Sequence, residues 1–174
     1  DIGNTVTKIC LIEVKSCKLK KIIYFNSSEI SQNILLKKNL KKIIKKNPVI
    51  EVALFSSVVS SHLLRLKKIL KKVYQIKVKE IKEKKIEKII KINIKNKKEV
   101  GSDRIANAVG AYKKYKKDCI ILDFGTATTF DVITKKGVYN GGIIAPGVNL
   151  SIKSLTNSAD QIPIFSIKKK KKVI

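Results

Sequence analysis

The chain has 174 residues, of which 44% are hydrophobic, and its formal net charge is +26. This length and this hydrophobic content are enough to build the core of one sizeable domain or two small ones. No apolar run approaches the roughly 20 residues of a transmembrane helix, and no stretch has the form of a signal peptide, so we expect a cytoplasmic protein without a membrane partner.

The large positive charge would suit a protein that binds nucleic acid through one basic patch. The lysines of this chain are instead interleaved with isoleucine along nearly its whole length, as in residues 37–44. Charge runs of this kind are usually the solvated faces of helices. We therefore expect no specific nucleic-acid partner.

The three cysteines and the one histidine do not form a metal-binding pattern. Cys10, Cys17 and Cys119 lack Cys-x-x-Cys spacing and lie in apolar surroundings. They are expected to be reduced, buried, small hydrophobic residues rather than zinc ligands or disulfide partners. His62 lies near a predicted helix start, where a surface or capping role is expected rather than catalysis.

The first part of the chain has the pattern of an α/β domain. The predicted elements are strands at 7–14 and 20–25, a helix at 30–44, a strand at 49–54, a helix at 63–70 and a strand at 74–78. The stretch 79–99 mixes Lys and Ile without a firm period and predicts no element. Asp1 falls inside a predicted strand-turn and the chain contains no Met, so we expect it to be a fragment of a longer protein.

The pattern restarts after about residue 117. A linking helix is predicted before that point, over 105–112. After it come a buried strand at 120–124, a strand at 130–134 and a further helix after Gly147. A repeated α/β unit predicts two domains, at 1–117 and 118–174.

Residues 1–8, Asp-Ile-Gly-Asn-Thr-Val-Thr-Lys, form the first candidate site. Glycine in a tight turn lets backbone N–H groups approach an anion, and the amide and hydroxyl side chains add donors. An Asp beside such a loop repels phosphate unless a cation lies between them, which indicates a Mg²⁺-nucleotide site. The alternative is an ordinary β-turn, because Asp, Gly and Asn are common turn residues. The candidate residues are Asp1, Ile2, Gly3, Asn4, Thr5, Val6, Thr7 and Lys8.

A second turn of the same chemistry follows the apolar strand at 120–122. It begins with Asp123 and contains Gly125 and Thr126. A carboxylate at the end of a buried strand is costly to desolvate unless a cation pairs with it. Two such turns that face each other would hold one polyphosphate from both sides.

A third candidate site opens the helix between the two turns, at Gly101, Ser102, Asp103 and Arg104. Asp103 falls where the helix dipole favours an anion, and Arg104 supplies a rigid donor fork for a carboxylate or a phosphate. The alternative is a purely structural role, with Asp103 as a capping residue beside a surface Arg104. Together with the two turns, the pattern favours Asp103 as the base for a substrate hydroxyl and Arg104 as its anchor.

These segments, in this order and spacing, resemble the type III pantothenate kinases. The matching segments are DIGNT at 1–5, SSVVS at 56–60, GSDRIANAVGAY at 101–112, LDFGTATTFDV at 122–132 and GGIIAPG at 141–147. The resemblance implies an α/β fold of the actin-like, sugar-kinase superfamily, with two ribonuclease-H-like domains around a nucleotide cleft and the second domain incomplete. It also implies transfer of the ATP γ-phosphoryl group to pantothenate, the first step of coenzyme A synthesis, by a cytoplasmic homodimer that uses Mg²⁺ and K⁺ or NH₄⁺.

The resemblance further implies a role for each motif. Residues 1–8 would be the ATP-phosphate loop, Thr126 would contact ATP, and Asp123 would bind the monovalent cation. Residues 101–104 would hold pantothenate, and Asp103 would accept the proton of its primary hydroxyl.

The chain departs from the family pattern near the acceptor site. The family's aromatic substrate contact falls at Ile94, and its usual proline nearby is replaced by Lys97. A threonine that the family supplies to the substrate would fall beyond Ile174. Two alternative functions stay open: a non-catalytic regulator similar to the Bvg accessory factor family, and a kinase of the same superfamily with another hydroxylated substrate.

Overall fold

The computed structural model describes residues 1–31, 33–46, 49–81, 88–158 and 163. Its elements are β1 (Val6–Glu13), β2 (Lys18–Asn26), α1 (Asn33–Lys46), β3 (Val52–Phe55), α2 (Ser60–Tyr74), β4 (Lys77–Glu80), β5 (Lys91–Ile92), α3 (Ser102–Tyr115), β6 (Cys119–Phe124), β7 (Ala127–Ile133), β8 (Val138–Pro146) and α4 (Val148–Ser158). The predicted α/β class is confirmed. None of the helices in these ranges is both long and apolar enough to cross a membrane.

Two small sheets form around the first turn. Strands β1 and β2 make an antiparallel hairpin, and β3 and β4 pair in parallel. Ile2 joins the two sheets, because it bridges Thr7 on one side and Ser57 on the other. Its N–H donates to the carbonyl of Ser56 (2.8 Å), and its carbonyl accepts from the N–H of Val58 (3.1 Å). The first turn is thereby fixed at the end of β3.

A hydrophobic core lies beneath these sheets. Helix α2 contributes Leu66, Ile69 and Leu70, whose spacing of three and four residues places them on one face. The buried members of this core are Ile2, Ile30, Leu40, Phe55, Leu66, Ile69, Leu70 and Ile76. Helix α2 continues to Tyr74 and is closed by Gln75 in the left-handed conformation (φ 54°). The strand predicted at 74–78 therefore begins only at Lys77.

A third, four-stranded sheet has the strand order β5-β8-β7-β6. Strands β6, β7 and β8 form an antiparallel meander, and β5 pairs with β8 in parallel. A second core covers one face of this sheet and contains Ile90, Ile92, Val100, Ile105, Ala108, Ile133 and Tyr139. Helix α3 thus packs on the four-stranded sheet, and its first residues lie at the edge of that core.

The expectation that the cysteines are buried is wrong for two of them. Cys10 and Cys17 are exposed, and Cys119 is half-buried; all three are free thiols. Cys10 lies on β1 between the inward-facing positions, and Cys17 lies in the β1–β2 turn with a positive φ of 52°. Apolar neighbours in sequence do not bury a residue when strand alternation points it outward.

Candidate active site

The two Asp-Gly turns touch each other. The hydroxyl oxygens of Thr5 and Thr126, 121 residues apart in sequence, lie 3.0 Å apart. Both side chains are exposed to solvent. The turns thus form one continuous, polar and open surface, suited to an anionic ligand that contacts both.

The residues of the first turn divide into exposed and buried sets. Asp1, Asn4, Thr5, Val6 and Lys8 are exposed, Gly3 is half-buried, and Ile2 and Thr7 are buried. The buried side chains face the core, so Ile2 and Thr7 can approach a ligand only through the backbone. Lys8 Nζ lies 4.0 Å from Asp1 Oδ2, an exposed pair in which both charges stay accessible.

Ser27, which sequence reasoning missed, fixes the first turn from below. Its hydroxyl donates to the carbonyl of Gly3 (2.5 Å) and lies 2.9 Å from Thr7 Oγ1. Its N–H donates to the carbonyl of Thr5 (2.9 Å). Ser27 is fully buried. In the sequence it is one of two serines after a strand, which reads as an ordinary loop, so nothing there signals its role.

Gly147 closes the second turn. A Cβ at this position would lie 2.3 Å from the carbonyl oxygen of Thr126 and 2.4 Å from that of Gly125. The Gly147 N–H donates to the Thr126 carbonyl (3.1 Å), and Ser151 N–H donates to the Gly147 carbonyl (2.8 Å). Gly147 therefore directly precedes α4, and the positive end of the helix dipole lies beside the second turn.

Asp123, at the end of β6, is held by an uncharged partner. Asn107 Nδ2 of α3 donates to Asp123 Oδ2 at 2.9 Å, and none of the described residues forms an ion pair with this carboxylate. Thr129 lies opposite Asp123 on β7, and its buried hydroxyl has no hydrogen-bond partner among the described residues.

The oxygen atoms of Asp123 and Thr129 are ligands of the kind that a hard cation such as K⁺ or Mg²⁺ prefers. Within the described ranges, no group of three or more His, Cys, Asp or Glu side chains could hold a metal ion. A cation here would therefore need oxygens from the backbone or from a bound ligand as well as from Asp123.

The start of α3 is fastened to the loop after β3. Ser102 is buried; its hydroxyl lies 3.1 Å from Ser56 Oγ, accepts from Ser57 N–H (2.9 Å) and donates to the Ser57 carbonyl (3.1 Å). This oxygen is fully engaged within the protein, so Ser102 positions the helix start. The same contacts give the Ser56–Ser60 segment its structural role.

Asp103 lies in the first turn of α3 and folds back over Gly101. Its Oδ1 accepts from the N–H of Arg104 (2.9 Å), and a Cβ on Gly101 would lie 2.2 Å from that oxygen. Asp103 is half-buried. Glycine at 101 is thus needed for this carboxylate geometry, which satisfies one helix N–H and leaves Oδ2 without a hydrogen bond among the described residues.

Arg104 is mostly buried, and not the surface residue that a purely structural role for this segment would predict. Its Nε donates to Asp131 Oδ1 at 2.8 Å, its Nη2 lies 2.6 Å from the same oxygen, and its side chain is only 13% exposed. Tyr139 also donates to Asp131 Oδ1, at 2.5 Å, and both Asp131 and Tyr139 are fully buried. Asp131 and Tyr139 were missed in the sequence, although an Asp between Phe130 and Val132 in an apolar strand is the kind of signal that marks a buried charge.

The protonation states of this cluster follow from its surroundings. Burial lowers the pKa of Arg104, but the hydrogen bond and the charge of Asp131 outweigh that effect and raise it. Burial, reinforced by the hydrogen bond to Asp131, raises the pKa of Tyr139. Arg104 is therefore a cation and Tyr139 a neutral donor at any physiological pH.

Ile94, at the position of the family's aromatic contact, lies against β8. It is half-buried and packs on the second core, with its Cδ1 3.8 Å from where a Cβ on Gly141 would lie. Gly141 has a positive φ of 87°. Lys97 is exposed in a short 3-10 helix, Lys97–Glu99.

Comparison with known proteins places this chain in a family. The model of the type III pantothenate kinase family matches residues 1–174. The type III pantothenate kinase of Pelagibacter ubique is 47% identical over 174 residues, which cover 100% of this chain and 68% of that protein. That of Syntrophus aciditrophicus is 36% identical over 168 residues, covering 94% of this chain and 65% of that protein. The chain thus spans about two thirds of the length of these two relatives.

A solved structure from Campylobacter jejuni, described as a Baf family transcriptional activator, gives a TM-score of 0.46 at 20% identity and covers 87% of this chain and 62% of that one. A likeness of this size is too weak to support a conclusion about fold or function. Stronger support comes from the family model, which matches every residue of the chain, and from the 47% identity to the Pelagibacter ubique enzyme, which extends over all 174 residues. The chain belongs to the type III pantothenate kinase family, whose enzymes phosphorylate pantothenate with ATP in coenzyme A biosynthesis.

Proposed function

We propose that the protein to which this chain belongs transfers the γ-phosphoryl group of ATP to the primary hydroxyl of pantothenate, giving 4′-phosphopantothenate. This chain supplies the phosphate-binding turns and the acceptor site. The observation that carries the proposal is the 3.0 Å contact between Thr5 and Thr126, because it joins two turns of the same chemistry into one surface.

ATP would bind with its phosphates across the two turns. Thr5 and Thr126 offer hydroxyl donors, and the start of α4 at Gly147 adds a favourable dipole for an anion. Lys8 contributes a positive charge at the edge of the first turn. When bound, Mg²⁺ would neutralise phosphate charge, and the exposed carboxylate of Asp1 is a hard oxygen ligand of the kind it prefers.

Asp123 is the proposed ligand of a monovalent cation, K⁺ or NH₄⁺. Its Oδ2 is held by Asn107, and its other oxygen makes no hydrogen bond within the part of the chain that the structure describes. The Thr129 hydroxyl on the neighbouring strand, to which no described residue is hydrogen-bonded, supports the same assignment. A cation here would offset the cost of a carboxylate at the end of an apolar strand.

Pantothenate would bind at the start of α3. Asp103 has one oxygen engaged by the helix and one available to accept the proton of the substrate hydroxyl. Phosphoryl transfer has a loose transition state, so this residue would mainly orient the nucleophile and accept its proton late. Arg104, a cation whose side chain is mostly buried, would bind the acceptor through the N–H groups of Nη1, which form no hydrogen bond with a described residue.

Three further features are proposed on the family resemblance: the protein acts in the cytoplasm, it forms a homodimer, and its two ribonuclease-H-like domains divide near residue 117. The existence of two separate hydrophobic cores supports a division into two packing units.

A coupled ADP-release assay on the full-length protein tests the proposed function. Turnover should require both Mg-ATP and pantothenate and should increase with K⁺ or NH₄⁺. Because Ile94 replaces the family's aromatic contact, other primary alcohols should be assayed in parallel. Turnover with one of them and none with pantothenate would replace pantothenate as the substrate, and a complete lack of acceptor-dependent turnover would refute the kinase.

A further inference from the structure

We infer that Asp131 is a positioning residue for acceptor binding: from the buried face of β7 it fixes the guanidinium of Arg104, with Tyr139 as its second donor. The inference deepens the proposed function and rests on it. It concerns a residue that has no role in the two turns or in the Asp103 site as the sequence motifs define them.

The first observation is the burial of the cluster. Asp131 has no exposed surface, and neither has Tyr139. A carboxylate in such a place needs a cation, and the one it contacts is Arg104, whose side chain is 13% exposed. Arg104 thus reaches from the helix start into the core to meet this charge.

The second observation is that the contacts converge on one oxygen. Asp131 Oδ1 accepts from Arg104 Nε (2.8 Å) and Tyr139 OH (2.5 Å), and Arg104 Nη2 lies 2.6 Å away. These contacts fix the plane of the guanidinium, because Nε and Nη2 occupy the same edge of the fork. The opposite edge, with Nη1, makes no hydrogen bond among the described residues.

A stabilising role alone is a poor explanation for this arrangement. A buried ion pair often contributes no more to stability than apolar side chains of similar volume, because desolvation offsets the attraction. Here the pair is also incompletely satisfied, since Asp131 Oδ2 and Arg104 Nη2 are buried and form no hydrogen bond of normal geometry within the described part of the chain. Such a cluster is better explained by what it positions than by what it stabilises.

The residue that this cluster positions is Arg104, the cation next to the proposed base Asp103. Arg104 follows Asp103 directly, and the Asp103 charge contributes to raising the pKa of Arg104. An arginine on a surface helix would sample many rotamers. Asp131, itself held by Tyr139, instead fixes Arg104 in one orientation. The free edge of the guanidinium is then available to an anionic or carbonyl group of the acceptor.

Steady-state kinetics and thermal melts on the full-length protein test this with Asp131→Asn, Arg104→Ala and the double variant. Asp131→Asn keeps the size but removes the charge. We expect it to raise the KM for pantothenate about tenfold or more, a typical loss for a hydrogen bond to a charged group, with kcat within about threefold and the KM for ATP unchanged. Because Asp131 acts through Arg104, the double variant should be no worse than Arg104→Ala alone.

Arg104→Lys provides a second variant if Asp131→Asn does not fold. It keeps a positive charge for Asp131 but loses the planar fork, so the KM for pantothenate should rise similarly. An unchanged KM in either folded variant, or losses that multiply in the double variant, would overturn the inference while wild-type turnover leaves the proposed function intact. No pantothenate turnover by the wild type would overturn both.

Discussion

Asp103 and Asp123 share an unusual environment for two acidic residues in so basic a chain. Each is half-buried, and each has one oxygen held by an uncharged N–H donor: the backbone of Arg104 for Asp103, and the side chain of Asn107 for Asp123. Neither forms an ion pair with a described residue. Each therefore keeps an oxygen that can act on a ligand.

For Asp103, we predict that Asp103→Asn lowers kcat by about a hundredfold, the low end of the usual range of about 10²–10⁴ for general-base catalysis. The amide oxygen can still accept from the Arg104 N–H, so the melting temperature should hardly change. Steady-state kinetics and one thermal melt measure both quantities. A kcat within about threefold of wild type, at the same melting temperature, would make Asp103 only a capping residue.

For Asp123, we predict that Asp123→Asn weakens activation by K⁺, because a neutral amide binds the cation less well. Activity titrated against K⁺ should show a clearly higher half-saturation concentration. Asp118→Asn is the matched control: Asp118 is exposed in the loop before β6 and accepts from Lys135 N–H at 2.8 Å, so its K⁺ dependence should be normal. Identical titrations for wild type and Asp123→Asn would remove the cation role.

The sequence could identify functional residues whose neighbours in sequence reveal their role. It missed residues whose role depends on partners far away in the chain. Asp103 and Asp123 each lie two residues from a glycine at the end of a predicted element. A carboxylate in that position indicates a functional role. Asp131 and Ser27 have significance only through residues 27 and 24 positions away, Arg104 and Gly3. A local pattern can mark Asp131 as a buried charge, but no local pattern identifies either of these partners.

At the scale of elements, the fit between α4 and the second turn depends on Gly147. A methyl group there would meet two backbone carbonyls at 2.3 and 2.4 Å. Backbone atoms cannot rotate away as a side chain can, so the turn or the helix must shift.

We therefore predict that Gly147→Ala lowers the melting temperature and raises the KM for ATP severalfold, since the displaced turn carries Thr126. Gly110→Ala is the matched control, because Gly110 lies within α3 with nothing within 4 Å of an added Cβ. That change should stabilise the protein by up to about 1 kcal/mol, the difference in helix propensity. Equal effects of the two substitutions would show that the contact at Gly147 has no consequence.

Elements with a strong local pattern were predicted well, and those defined by pairing were not. Strand β6 and helix α3 lie close to their predicted positions, because an apolar run and a helical stripe are both local signals. The stretch 79–99 gave no prediction; the structure shows there the end of β4 and the two-residue β5, while 82–87 lie outside the described residues. Strand β5 exists through its pairing with β8, about 47 residues later, which no periodicity reveals.

At the scale of the whole molecule, the four-stranded sheet has two unlike faces. Its inner face packs on α3 and carries Asp123, Thr129 and Asp131. Its outer face is apolar yet open in the described structure: Ile120 and Phe124 are each 68% exposed and Ile143 is 66% exposed.

Neighbouring residues of β6 test this division in the 174-residue chain. Ile121, on the inner face, packs against the second core, so Ile121→Ala should lower the free energy of unfolding by about 1–3 kcal/mol. Ile120→Ala makes the same chemical change on the outer face and should cost less than about 1 kcal/mol. Denaturant titrations give both values, and the reverse order would mean that the sheet faces are assigned incorrectly.

The α/β class and the family could be predicted from the sequence, because motif spacing survives even in a chain so enriched in Lys and Ile. The meeting of the two turns could be proposed from their shared chemistry but not located. It depends on how Ile2 docks beside β3 and how α3 packs on the four-stranded sheet, both of which involve contacts between distant segments.

The dependence of pantothenate phosphorylation on ATP concentration tests most directly whether the two turns form one phosphate site. It should be measured for the full-length wild type and for the double variant Thr5→Val, Thr126→Val, which keeps side-chain shape and removes both hydroxyls. We predict turnover by the wild type, and a KM for ATP at least about tenfold higher in the variant, as expected when hydrogen bonds to a charged ligand are lost, with an unchanged KM for pantothenate and an unchanged melting temperature. No pantothenate-dependent turnover by the wild type, or the same ATP dependence in both proteins, would contradict a shared site.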